Sequence, residues 1–176
     1  MNRIKSFFLV ILMLPGIAAA LQSDRQKPIE IESNSADLDN KKGISVYRGN
    51  VIMTQGSTRI EGDLITIYND AHRKVTRVVA KGQRAYYEQQ QENGKGKLKA
   101  WGNTINYDAA GDRIELLQQG ELTQEGDVFK GEKIEYNLKL QTVNASGQPA
   151  GNGEKGRVIM VIQPRPEPKA ATPPAN

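Results

Sequence analysis

One short pattern occurs three times along this chain and restricts its fold more than any other feature. Ile60-Glu61-Gly62-Asp63-Leu64-Ile65-Thr66-Ile67, Ala100-Trp101-Gly102-Asn103-Thr104-Ile105-Asn106-Tyr107 and Phe129-Lys130-Gly131-Glu132-Lys133-Ile134-Glu135-Tyr136 share one layout. Each sets an apolar residue two before a glycine and an apolar pair three and five after it. The pair has the period of two that belongs to a strand. The step across the glycine, from Ile60 to Ile65 for example, is five. Side chains of a regular strand share a face only at even spacing, so an extra residue must intervene, as a bulge or kink supplies. Glycine is the residue that permits it.

A second unit carries the same message. Val46-Tyr47-Arg48-Gly49-Asn50-Val51, Val79-Ala80-Lys81-Gly82-Gln83 and Leu117-Gln118-Gln119-Gly120-Glu121-Leu122 each run an apolar strand into a glycine and a polar residue. Strict alternation in Ile29-Glu30-Ile31-Glu32 and Ile65-Thr66-Ile67-Tyr68 adds further strands. Turn residues cluster at 39–43, 69–72, 92–96, 108–112 and 151–154. No window of helical period exceeds a turn or two. Strands with bends at equivalent points predict an all-β fold: a long, bent, two-layered antiparallel stack whose inside is apolar.

The stack is built from two similar halves. Residues 34–68 resemble 103–136 at an offset of 69: Asn34 falls on Asn103, Asp39 on Asp108, Thr54-Gln55 on Thr123-Gln124, Gly62 on Gly131 and Ile65 on Ile134. Gly49 meets Gly120 only at an offset of 71, which predicts a local insertion between the blocks. With three Phe and one Trp in 176 residues, the interior should be aliphatic, and either thin or open on one side. Cysteine is absent, so neither disulfides nor thiol chemistry contribute.

The ends differ from the body. Arg3 and Lys5 precede the apolar run Phe7 to Leu14, too short to span a bilayer. Pro15-Gly16 and Ala18-Ala19-Ala20 follow, which together predict a secretory signal peptide over 1–20 with cleavage after Ala20. Its removal leaves 22 basic against 20 acidic residues. That near-balance, with no basic cluster, excludes a nucleic-acid binder. From 163 to 176 the chain is Pro-rich and lacks large apolar residues, predicting a disordered tail. The folded domain is therefore 28–162.

Three segments together resemble the LptA (OstA-like) family: Pro28-Ile29-Glu30-Ile31-Glu32-Ser33, Ala36-Asp37-Leu38-Asp39, and Tyr47-Arg48-Gly49-Asn50-Val51-Ile52-Met53-Thr54-Gln55-Gly56. The second half continues the resemblance through Gly120-Glu121-Leu122-Thr123-Gln124 and Gly131-Glu132-Lys133-Ile134-Glu135-Tyr136-Asn137. The resemblance implies a slightly twisted, open-ended β-jellyroll in the periplasm that binds the acyl chains of lipopolysaccharide. It also implies end-to-end self-association, and a bridge between an LptC-like inner-membrane-anchored protein and an LptD-like outer-membrane protein. Lipid contacts carried over onto matching positions are Ile29, Ile31, Leu38, Tyr86 and Tyr107. No cofactor is expected, and no metal, since one histidine and no thiol cannot complete a site.

An open roll leaves unpaired edges, expected at Ile29–Glu32 and Arg157–Ile162, that suit strand addition. Tyr86 and Tyr87 are adjacent on a strand, so at most one lines the groove. Lone His72 sits in a turn with no partner for a metal or catalytic site. Asp37 with Asp39, or Asp108 with Asp112, has the makings of a glycosidase pair, but turn chemistry explains these acids more simply. The alternative to a lipid carrier is a structural β-repeat module that polymerises or holds a protein without lipid. A structural roll should be packed solid, whereas a carrier must admit its ligand.

Overall fold

A computed structural model describes residues 24–91, 95–147 and 156–164. The expected signal peptide, the turn at 151–154 and all but the first two residues of the expected tail lie outside the described residues. Ten strands follow in order: β1 (Ile29–Glu32), β2 (Ser35–Asp39), β3 (Ile44–Gln55), β4 (Thr58–Asn69), β5 (Val75–Gln90), β6 (Lys97–Asp108), β7 (Arg113–Gln124), β8 (Asp127–Asn137), β9 (Thr142–Ser146) and β10 (Ile159–Val161). All pairings are antiparallel, and the path β1-β3-β4-β5-β6-β7-β8-β10 does not close on itself. The short strands β2 and β9 pair with the other ends of β3 and β8.

Each long strand is bent near its middle. Pairing registers shift at Arg48/Val51, Glu61/Leu64, Lys81/Ala85, Trp101/Thr104 and Leu117/Gly120. These sites form one crease that folds the sheet into two facing layers. The first holds β1, the halves of β3 to β8 that contain Met53, Ile60, Tyr87, Ala100, Leu122 and Phe129, and β10. The second holds β2, the remaining halves, and β9. The odd step in the repeated motif is what this crease requires. At two of the motif glycines the requirement is closeness: a Cβ on Gly62 would stand 2.9 Å from the Lys81 carbonyl oxygen, and one on Gly131 2.9 Å from that of Ser146. No side chain fits there without a backbone shift.

The expected insertion between the repeats is overturned. Gly49 and Asn50 are left-handed at the crease of β3, with φ of 79° and 48°. Gln118 and Gln119 hold the same place in β7, with φ of 61° and 60°. From 49 to 118 and from 50 to 119 the offset is 69, and Val51 pairs with Gly62 as Gly120 pairs with Gly131. The offset is thus constant through the repeat. Matching glycine to glycine misled because one half spends a glycine on the left-handed position and the other strains a glutamine into it.

The interior is mostly aliphatic but also holds Tyr87, Tyr107 and Tyr136, which the small number of Phe and Trp did not foretell, and its middle is not thin. Val51, Ile60, Ile65, Val78, Ile105, Ile114, Leu116, Leu122, Ile134 and Tyr136 are all almost completely buried. Each large aliphatic side chain so buried contributes roughly 1.5–3 kcal/mol relative to exposure, which offsets the lack of disulfides.

Candidate functional site

Registers carry the inward-facing residues into continuous rows that run from the first edge of the sheet to the last. In the first layer the row is Ile31, Met53, Ile60, Tyr87, Ala100, Leu122, Phe129 and Met160. Facing it in the second layer is Leu38, Ser45, Ile67, Val78, Tyr107, Ile114, Tyr136 and Val143. Nearer the crease runs Ala36, Tyr47, Ile65, Ala80, Ile105, Leu116, Ile134 and Ala145. The rows are apolar throughout apart from Ser45 and the tyrosine hydroxyls. They define a groove that starts at β1 and β2 and finishes at β9 and β10.

Four of the five residues carried over from the resemblance face this groove. Ile29 and Ile31 are half-buried on β1 and pack against the core. Leu38 points inward from edge strand β2 yet is 60% exposed, because no strand lies beyond it. Tyr107 is buried, its ring 5.7 Å from that of Tyr87 across the groove. Tyr86 does not belong with them. It pairs with Glu61 and Trp101 on the outer face, where its ring lies 5.3 Å from Trp101 and its hydroxyl donates to Glu88 at 2.8 Å. Its neighbour Tyr87 is the inward one, fully buried, with its hydroxyl donating to Gln89 at 2.9 Å. Adjacent tyrosines on a strand must face opposite ways, and the odd step at the crease decides which points in. The repeated motif held the signal that the resemblance missed: Ile60, two before its glycine, pairs with Tyr87.

The free ends of the layers, opposite the crease, form the groove's mouth. Its contacts are polar. Arg25 pairs with Asp112 and lies beside the Tyr107 hydroxyl. Lys95 Nζ donates to Gln141 at 2.8 Å. The Tyr136 hydroxyl donates to Gln124 at 3.1 Å, and Gln124 donates to Gln91 at 2.7 Å. A cleft of about 530 Å³ lies elsewhere, on the outer side of the second layer. Arg77 covers Tyr68 there, 4.2 Å from the ring, and Asn106, Glu115 and Glu135 make the cleft too polar for acyl chains.

The acids weighed as glycosidase pairs are engaged in other ways. Asp39 accepts the Lys41 and Lys42 N–H groups, which hold its carboxyl below the usual range, while Asp37 pairs with Arg48. Asp108 accepts the Gly111 N–H at 2.9 Å, and Asp112 pairs with Arg25. His72 lies in the turn between β4 and β5, its N–H donating to Asp70. On the outer face Arg84 binds Glu121 and covers Trp101, and Lys97 binds Glu88.

Tyrosine burial sets a measurable pH limit. Burial raises Tyr86, Tyr87, Tyr107 and Tyr136 above their ordinary value, an effect that Arg25 opposes at Tyr107. A raised folded value means the neutral form is favoured by folding. The associated stability is complete below the unfolded value near 10 and is lost as pH rises through it toward the folded values. We expect alkaline titration to show tyrosinate absorbance appearing cooperatively with loss of the β circular dichroism signal. A gradual titration with the fold intact would contradict this burial.

An open, creased antiparallel roll with facing apolar rows from edge to edge defines a class: open-ended β-jellyroll proteins. Comparison narrows the class. Residues 30–142 match the family described as LptA/(LptD N-terminal domain) LPS transport protein. The lipopolysaccharide export system protein LptH of Pseudomonas aeruginosa is 42% identical over 153 residues, 85% of this chain and 87% of its own. LptA of Haemophilus influenzae is 33% identical over 163 residues, 91% of each chain, and LptA of Escherichia coli K12 is 32% identical over 149, covering 84% of this chain and 77% of its own. The crystal structure of LptH, the LptA-homologous periplasmic component of the lipopolysaccharide transport device of P. aeruginosa, superposes with a TM-score of 0.72. That match covers 81% of this chain and 99% of the other. The chain belongs to the LptA family of lipopolysaccharide transport proteins.

Proposed function

We propose that this protein carries lipopolysaccharide across the periplasm, holding its acyl chains between the facing rows through Ile29, Ile31, Leu38 and Tyr107. The observation that carries the reading is the continuity of those rows from one sheet edge to the other. A lipid with several acyl chains needs a long apolar trough, and a trough open at both edges can be extended by another domain. Edges β1 and β10 leave backbone groups available for strand addition. On this reading the protein stacks end to end, with an LptC-like protein at one end of the bridge and an LptD-like domain at the other. The Lpt names of its relatives support the same role.

A structural module without lipid is the competing reading, and complete burial at the centre of the groove favours it. Light-activated crosslinking separates the two. With a photoreactive residue at position 31 or 38, the purified protein should crosslink to lipopolysaccharide. From position 86 or 30, both on the outer face, it should not. Crosslinks from none of the four positions, with the fold intact, would favour the structural module.

A further inference from the structure

The middle of the groove is full. Tyr87, Ile105 and Leu116 have no exposed surface, so a ligand takes its place there only if the two layers part. They cannot part at the crease, where the chain of every long strand runs continuously from one layer to the other. The mouth is the remaining line of separation. The closing contacts described above, among the described residues, are hydrogen bonds and an ion pair, which water can replace.

Residues 24–27 lie at this mouth and are anchored on one side only. Asp24 is 7% exposed, an unusual burial for a carboxylate. Its oxygens accept the Ser57 N–H at 3.0 Å and the Ser57 hydroxyl, in the turn between β3 and β4 of the first layer. Gln55 Nε2 donates to the carbonyls of Arg25 at 3.3 Å and Lys27 at 3.1 Å. Gly56 has φ of 59°, and any Cβ there would collide with Asp24, so the turn is shaped to seat this segment. From that anchor Arg25 reaches the opposite layer, pairing with Asp112 in the turn between β6 and β7 and lying beside Tyr107. The far contact is the weak one: the Arg25 and Asp112 side chains are 37% and 34% exposed, so water competes for both.

We propose that residues 24–27 are a strap that latches the mouth, and that lipid is admitted sideways when Arg25 releases Asp112 and the layers part. The proposal rests on the carrier reading above. The anchor at Asp24 stays while the latch opens, and opening uncovers the Tyr107 hydroxyl.

Because the sequence has no cysteine, the double variant Arg25→Cys/Asp112→Cys can be joined selectively by a bismaleimide with a reducible spacer. Uptake of fluorescent lipopolysaccharide is then followed by co-elution. The joined protein should take up at least tenfold less lipid than the unjoined one, and reducing the spacer should restore uptake. Arg25→Glu, which sets like charges across the mouth, should load faster than the unaltered protein. Equal uptake by joined and reduced protein would overturn the latch, as would unchanged or slower loading of Arg25→Glu. So would loss of uptake in the unjoined double variant alone, because the pair would then hold lipid rather than bar it. If the unaltered protein takes up no lipid, the carrier reading itself fails and the latch falls with it.

Discussion

Tyr87→Ala should destabilise the protein by about 3–5 kcal/mol, the range for removing a fully buried aromatic side chain, whereas Tyr86→Ala should cost only about 1 kcal/mol. Tyr87 fills the middle of the first layer's inward row, touches Tyr107 from the opposite layer and satisfies its hydroxyl on Gln89. Truncation leaves a cavity where the layers meet and removes the donor to Gln89, itself buried. Tyr86 loses only a ring contact with Trp101 and a bond to Glu88 on a half-exposed face. Urea denaturation of the two variants compares adjacent positions on one strand, so propensity and exposure of the unfolded chain nearly cancel. Equal losses, or the reverse order, would mean that the crease shifts the strand's faces differently from the register described above.

Ile31→Asp should weaken lipopolysaccharide binding at least tenfold (about 1.4 kcal/mol), while the fold survives. Ile31 sits on β1, at the beginning of the inward row, paired with Met53 and only half-buried. A carboxylate there meets solvent at the open edge of the free protein, so destabilisation should stay within about 0.5–3 kcal/mol. With lipid present the same carboxylate would be enclosed by acyl chains, where an unpaired charge is costly. Binding measured by co-elution, beside thermal melting, checks both parts. Normal binding by a folded Ile31→Asp protein would place the lipid somewhere other than the end of the groove at β1.

Strands were legible because their inward faces are written in period two, and the crease was legible because the motif breaks that period with a step of five at Gly62, Gly102 and Gly131. Turns at Asp39–Gly43, Asn69–His72 and Asp108–Asp112 followed from residues that accept backbone N–H groups or adopt left-handed conformations. The constant offset of the repeat was obscured because a left-handed φ is not the property of glycine alone: Gln118 and Gln119 adopt it, held by the strand partners on either side of the crease. Tyr86 was misplaced for a related reason. Assigning it by resemblance ignored the local phase of β5, where three residues, Gly82 to Arg84, sit between the paired positions Lys81 and Ala85.

Local order was the sequence's own doing: which segments are strands, where each bends, and that one side of each is apolar, since these depend on alternation and on turn chemistry between near neighbours. What only the tertiary structure decided is how those sides meet. The full burial of Tyr87 and Tyr107, the reach of Arg25 to Asp112 and the glutamine network at the mouth join residues far apart in the chain. Such contacts arise when two layers close on each other, and no short-range pattern encodes the distance between layers.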